Sequence, residues 1–147
     1  MLVLGSLPGE RSLAAQRYYA HPQNRFWHLI GRVIGSELEP LDYEHRLEAL
    51  LAAKVGLWDT VASARRVGSL DASIREAAHN PLADLAATLP ALRAVGFNGK
   101  TSARIGMAQL RGAGVALVPL PSSSPAHAAM PLAEKEKLWS ALGEFLR

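Results

Sequence analysis

The chain has 147 residues, 49% hydrophobic and 20% charged, with a formal net charge of +3 and no cysteine. That size and balance describe one globular domain with a single core, not a disordered chain. Without cysteine there can be no disulfide, thiol nucleophile or thiolate-held iron–sulfur cluster, and no apolar run nears the ~18–20 residues that span a bilayer.

Leu2–Gly5 reads as a short buried strand. It follows Met1 directly, so no signal peptide is expected, and a cytoplasmic setting fits. A tight turn, Gly5-Ser6-Leu7-Pro8-Gly9, comes next. Its glycines let backbone approach a ligand, and Pro8 fixes the bend. After a polar loop come Tyr18-Tyr19 and His21-Pro22-Gln23-Asn24. Phe26, Leu29, Ile30, Val33 and Ile34 then mark one helical face, which Gly35 ends. Asp42 is placed to cap a second helix with Leu47, Leu50 and Leu51 on its inner side.

Lys54–Asp59 reads as a second strand, followed by a loop with Arg65-Arg66 and a short helix capped by Ser69 or Asp71. Pro81 suits the first turn of a helix running to about Thr88. Ala94–Asn98 is a third strand, and Gly99-Lys100 opens a helix to about Leu110, stopped by Gly112 and Gly114. Val115–Val118 is a fourth strand, leading into a rigid Pro/Ser loop from Pro119 to His127. Pro131 starts the last helix, with Leu138, Leu142 and Phe145 inward and Trp139 beside them.

Strands separated by helices imply a mostly parallel sheet covered on both faces, an α/β fold. The carboxyl ends of such strands share one edge. There Ser6-Leu7-Pro8, Asp59, Asn98-Lys100 and Ser122–His127 would line a single crevice. Walker, dinucleotide and nucleophile-elbow motifs are absent. The five histidines show no zinc-binding spacing, so neither metal nor cofactor is expected. A Ser122, Ser123 and His127 nucleophile pairing lacks a third member; clustered serines between prolines suit a tight loop.

The segments GSLPGERS, YYAHPQNRFW, GLWDTV, GSLDASI, FNGK and LPSSSPAHA occur here in that order. Together they resemble the uracil-DNA glycosylase superfamily, and most of all its deoxyinosine (hypoxanthine) branch. The resemblance implies a three-layer α/β/α sandwich around a four-stranded sheet. It implies a monofunctional enzyme that removes a deaminated base, hypoxanthine or uracil, from DNA. It departs from the mismatch-specific relatives at Leu7, where they carry a water-positioning Asn. The deoxyinosine branch takes its catalytic amide from the HPxN segment, here Asn24.

Cleaving an N-glycosidic bond leaves an oxocarbenium-like sugar and an anionic base. Water must be held in place, and the leaving base needs donors. The base must first be extruded from the duplex and stacked in a pocket. The expected catalytic group is therefore Asn24, whose amide places water or holds the base; its rival role is a helix cap. Expected base contacts are Ser6, Pro8, Gly9, Tyr19 as stacking face, and Asp59. A neutral Asp59 would donate to the base, an ionised one would accept from ring N–H, and a plain loop carboxylate stays open. Expected DNA contacts are Arg25, Lys100, Ser122, Ser123, Ser124 and His127. The competing reading is a noncatalytic nucleic-acid or nucleotide-binding module, kept open by Leu7. A monomer binding damaged DNA, without membrane association, completes the expectation.

Overall fold

The computed structural model describes residues 1–6, 10–65 and 75–146. Its strands are β1 (Leu2–Gly5), β2 (Gly56–Asp59), β3 (Val61–Arg65), β4 (Arg75–His79), β5 (Ala94–Asn98) and β6 (Ala116–Leu120). Its helices are α1 (Glu10–Ala15), α2 (Phe26–Ile34), α3 (Tyr43–Ala52), α4 (Leu82–Ala87), α5 (Lys100–Leu110) and α6 (Leu132–Trp139), continued by a 3-10 turn at Ser140–Leu146. Four strands form one sheet in the order β2-β1-β5-β6, every neighbouring pair parallel.

Alternation along β1 sends side chains to opposite faces. Val3 joins a cluster with Phe26, Trp27, Leu29 and Ile30 of α2, Leu50 of α3, Trp139 of α6 and Leu142. Leu4 joins Val95, Phe97, Leu82 of α4 and Leu110 of α5. Helices thus cover both faces, giving the expected three layers. Burying each of these large side chains stabilises the fold by roughly 1.5–3 kcal/mol. Contact with α5 is close at Gly106, where a Cβ would lie 2.2 Å from the Phe97 ring.

Local signals set most element ends. Gly35 takes the left-handed conformation (φ 74°) that closes α2, and the Asp42 side chain accepts the His45 N–H at 2.9 Å to open α3. Other expectations are corrected. The stretch read as a polar loop contains α1. The loop expected after β2 contains β3 and β4, an antiparallel pair with an irregular register. The helix start expected at Ser69 or Asp71 lies outside the described residues, as does Arg66.

Strand β6 runs on to Leu120 and includes Pro119. An edge strand tolerates proline because one side of it has no ladder to feed. Leu51 and Leu138 are 77% and 47% exposed, not inward. Each is one residue, and so about 100°, away from the side chain that does face the core: Leu50 and Trp139.

Candidate active site

The chain runs from β1 to β2 on one side, then crosses to β5 on the other. The switch point lies outside the carboxyl ends of β1 and β5, where open α/β sheets bind ligands. The strand ends are stitched together there. The Thr60 N–H donates to the Gly5 carbonyl at 2.8 Å, and the Gly99 N–H donates to the Leu120 carbonyl at 3.0 Å. Asn80, just after β4, donates from Nδ2 to the Asp59 carbonyl at 2.7 Å. Gly99 has φ 101°, and a Cβ there would meet Ser122 at 3.4 Å, so glycine lets the β5 end and the Pro/Ser loop touch.

Asn24 comes to this edge from the His21–Asn24 turn, closed by the Asn24 N–H to the His21 carbonyl at 3.0 Å. Its Oδ1 accepts the Phe26 N–H at 2.9 Å, an Asx bond at the mouth of α2. The same oxygen accepts from Ser123 Oγ at 2.8 Å. Ser123 Oγ accepts from Asn98 Nδ2 at 2.9 Å, and Asn98 Oδ1 takes the Ser123 N–H at 2.9 Å. Ser123 is 1% exposed and Asn98 7%. The Arg25 N–H adds a bond to the Ser123 carbonyl at 3.0 Å. The N-cap position of α2 is Arg25, so Asn24 stands one residue before it and joins the first N–H of the helix to the crevice network.

Across the crevice, Gly5 lets two oxygens approach: a Cβ there would stand 3.0 Å from Asp59 Oδ1 and 3.2 Å from the Tyr19 hydroxyl. Asp59 is 9% exposed. Tyr19 sits in the left-handed region (φ 53°), and its ring stacks on Phe26 at 3.8 Å with a 12° tilt. One Tyr19 face is thus occupied by the protein itself. The neighbouring Tyr18 phenol is pushed up to about 12, first by burial and then by the charge of Asp59.

The Pro/Ser loop is tied down from behind. Lys135, 4% exposed, donates from Nζ to the carbonyls of Ser122 (2.7 Å) and His127 (2.8 Å). Trp139 Nε1 donates to the Pro121 carbonyl at 2.9 Å. Burial holds the Lys135 ammonium below the usual lysine pKa. Ser122 Oγ accepts the Ser124 N–H, and Ser124 Oγ accepts the Ala126 N–H, leaving both side chains half-buried on the loop with His127. Ser123, expected as a DNA contact, has its hydroxyl enclosed and engaged with Asn24 and Asn98. Arg25 and Lys100 are exposed beside the same edge, and neither has a carboxylate partner among the described residues.

Ser6 is 5% exposed at the end of β1. Leu7, Pro8 and Gly9 lie outside the described residues, so the expected base contacts of Pro8 and Gly9 have no structural counterpart here. Sequence reasoning missed Lys135, because a lysine on an amphipathic helix reads as surface. Asn98 stood inside the FNGK segment, but its partner, 25 residues away, left no local signal.

The family model of the uracil DNA glycosylase superfamily matches residues 1–143. A hypoxanthine DNA glycosylase of Methanosarcina barkeri is 44% identical over 102 residues, covering 69% of this chain and 65% of that protein. A second hypoxanthine DNA glycosylase, of Methanosarcina acetivorans, is 39% identical over 127 residues, covering 86% of this chain and 80% of its own. The matched stretch thus spans just under two thirds of the first relative. A solution NMR structure, provisionally described as a uracil DNA glycosylase of Methanosarcina acetivorans, superposes with a TM-score of 0.87 at 37% identity. It covers 99% of this chain and 89% of its own.

Proposed function

This chain belongs to the uracil DNA glycosylase superfamily, and from that membership we propose that it is a monofunctional DNA-repair glycosylase for deaminated bases, with hypoxanthine preferred. The observation that carries the reading is the Asn24–Ser123–Asn98 network at the sheet's switch point. It presents an oriented amide where an extruded base would enter. The hypoxanthine preference rests on the names of the two relatives.

In this reading the extruded nucleotide enters between Gly5 and the Asn24 turn. Tyr19, backed by Phe26, offers a rigid wall to the base. Asp59, ionised, accepts from a ring N–H. Hypoxanthine and uracil carry such an N–H, whereas adenine and cytosine carry a lone pair at that position, so this contact favours the deaminated bases. Arg25, Lys100 and the half-buried Ser122, Ser124 and His127 face the flanking phosphates. In the same reading the protein acts in the cytoplasm as a monomer.

The test is incubation of purified protein with duplexes carrying hypoxanthine or uracil, followed by alkali to cut abasic strands. Strand cutting at hypoxanthine, with no cutting of undamaged duplex, is the expected result. Retained DNA binding without release of any base would instead identify a noncatalytic binding module.

A further inference from the structure

The hydrogen bonds around Asn24 decide which end of its amide can reach a substrate. Phe26 N–H can only donate, so the atom facing it must be the carbonyl oxygen. A carbonyl oxygen has two lone pairs. Both are taken, by the Phe26 N–H at 2.9 Å and the Ser123 hydroxyl at 2.8 Å. The Ser123 hydroxyl is itself oriented, because Asn98 Nδ2 donates to its oxygen at 2.9 Å and leaves its proton for Asn24. Asn98 in turn is oriented by the Ser123 N–H on its Oδ1. Every direction in this relay is fixed by a backbone N–H at each end. What remains of Asn24 is its Nδ2, which has no partner among the described residues, on a side chain that is half-buried.

Accepting the proton-bearing side of an attacking water would need the Asn24 carbonyl, and that oxygen is full. Donation by Nδ2 to the water would draw electron density from the nucleophile and leave its protons without an acceptor. Donation to the leaving base meets neither objection. As the bond between C1′ and N9 breaks, its electron pair goes to the base and spreads onto N3, N7 and O6. Water then adds to C1′, and its proton ends on the departing base. A fixed N–H donor aimed at a base acceptor lowers the energy of that developing charge.

Resting on the glycosylase reading above, we propose that Ser123 and Asn98 are positioning residues that lock the Asn24 amide with its carbonyl inward, so that Asn24 serves the reaction as a hydrogen-bond donor to the base. Asn24 is then the catalytic residue, and the other two act only through it.

The test is single-turnover release of hypoxanthine at saturating enzyme across a range of pH, with melting temperature and DNA affinity measured alongside. Asn24→Asp keeps the acceptor for Phe26 and Ser123 but loses the donor. It should release base at least ~10-fold more slowly at neutral pH. Relative to the wild type, it should recover as pH falls toward the carboxyl range, ~3.9, because a protonated carboxyl can donate again. A water-orienting acceptor role predicts the opposite slope: activity kept at neutral pH and lost in acid.

Ser123→Ala should slow release by about fivefold, the scale of one hydrogen bond, with DNA affinity unchanged. Asn98→Asp covers the case in which Ser123→Ala fails to fold. It keeps the acceptor for the Ser123 N–H but turns the Ser123 proton toward itself, so it should slow release similarly. Neutral-pH activity of Asn24→Asp at the wild-type level, or folded Ser123→Ala and Asn98→Asp proteins at the wild-type rate, would overturn the lock while leaving the glycosylase reading intact. A wild-type protein that releases no base overturns both.

Discussion

Replacing Lys135 with methionine should loosen the Pro/Ser loop without disturbing the helix that carries it. Methionine keeps the apolar stem in its buried site, 4% exposed, and removes only the ammonium. Two carbonyls, Ser122 at 2.7 Å and His127 at 2.8 Å, then lose their donor in a partly buried setting. An orphaned group of this kind costs about 1 kcal/mol at the low end. Relief from desolvating the ammonium, visible in its lowered pKa, offsets part of the pair. The net loss is about 1–2 kcal/mol, or a fall in Tm of roughly 2–8 °C for a domain of this size. Because Ser123 lies between the two freed carbonyls in the chain, release of base should slow and DNA affinity should weaken together. Lys137→Met is the control, since it removes the same charge from an exposed position on the same helix. Thermal melting, DNA titration and single-turnover release on both variants make the comparison. Indistinguishable melting and binding in the two proteins would show that Lys135 does not anchor the loop.

Gly5→Ala adds a Cβ 3.0 Å from Asp59 Oδ1 and 3.2 Å from the Tyr19 hydroxyl, both ends of side chains, so they must move. It should cost about 1–3 kcal/mol and reduce release of hypoxanthine more than it lowers DNA affinity; an unchanged rate would remove that corner from the pocket. Tyr19→Phe keeps the stack on Phe26 and loses the hydroxyl, whereas Tyr19→Ala loses both, so release should fall in that order. Base–aromatic stacking is worth ~1–3 kcal/mol, and wild-type activity of Tyr19→Ala would exclude a stacking role. At the start of α3, the bond from His45 holds the Asp42 carboxyl below 3.8, and Asp42 raises the His45 imidazole above 6.5. The Asp42 contribution is present above 3.8 and lost as pH falls through its lower folded value; that of His45 is complete below 6.5 and lost as pH rises through its higher one. Asp42→Asn keeps a capping oxygen without the charge, so its deficit in melting temperature should be largest between those values and shrink above the histidine value. A deficit independent of pH would mean that only the cap matters.

Much of this protein was fixed by short-range rules. The strand Ala94–Asn98, the helix Lys100–Leu110, the Gly35 stop and the Asp42 cap follow from apolar period and from the backbone preferences of single residues, which act within a turn of chain. The parallel sheet followed from strands alternating with helices, and the family from segments whose order and residue types are visible in the chain. The strand order β2-β1-β5-β6, and with it the switch point, depended on which helices cover which face. The β3–β4 pair is held by a ladder between segments too short and small-sided to announce themselves. The inward turn of Ser123 and the burial of Lys135 were equally hidden. Residues 24 and 123 meet across 99 positions, and a lysine is buried only because two carbonyls of a distant loop accept its protons. Such groups are chosen by the partners that satisfy them after the chain has closed, so no local property of serine, asparagine or lysine could have assigned them.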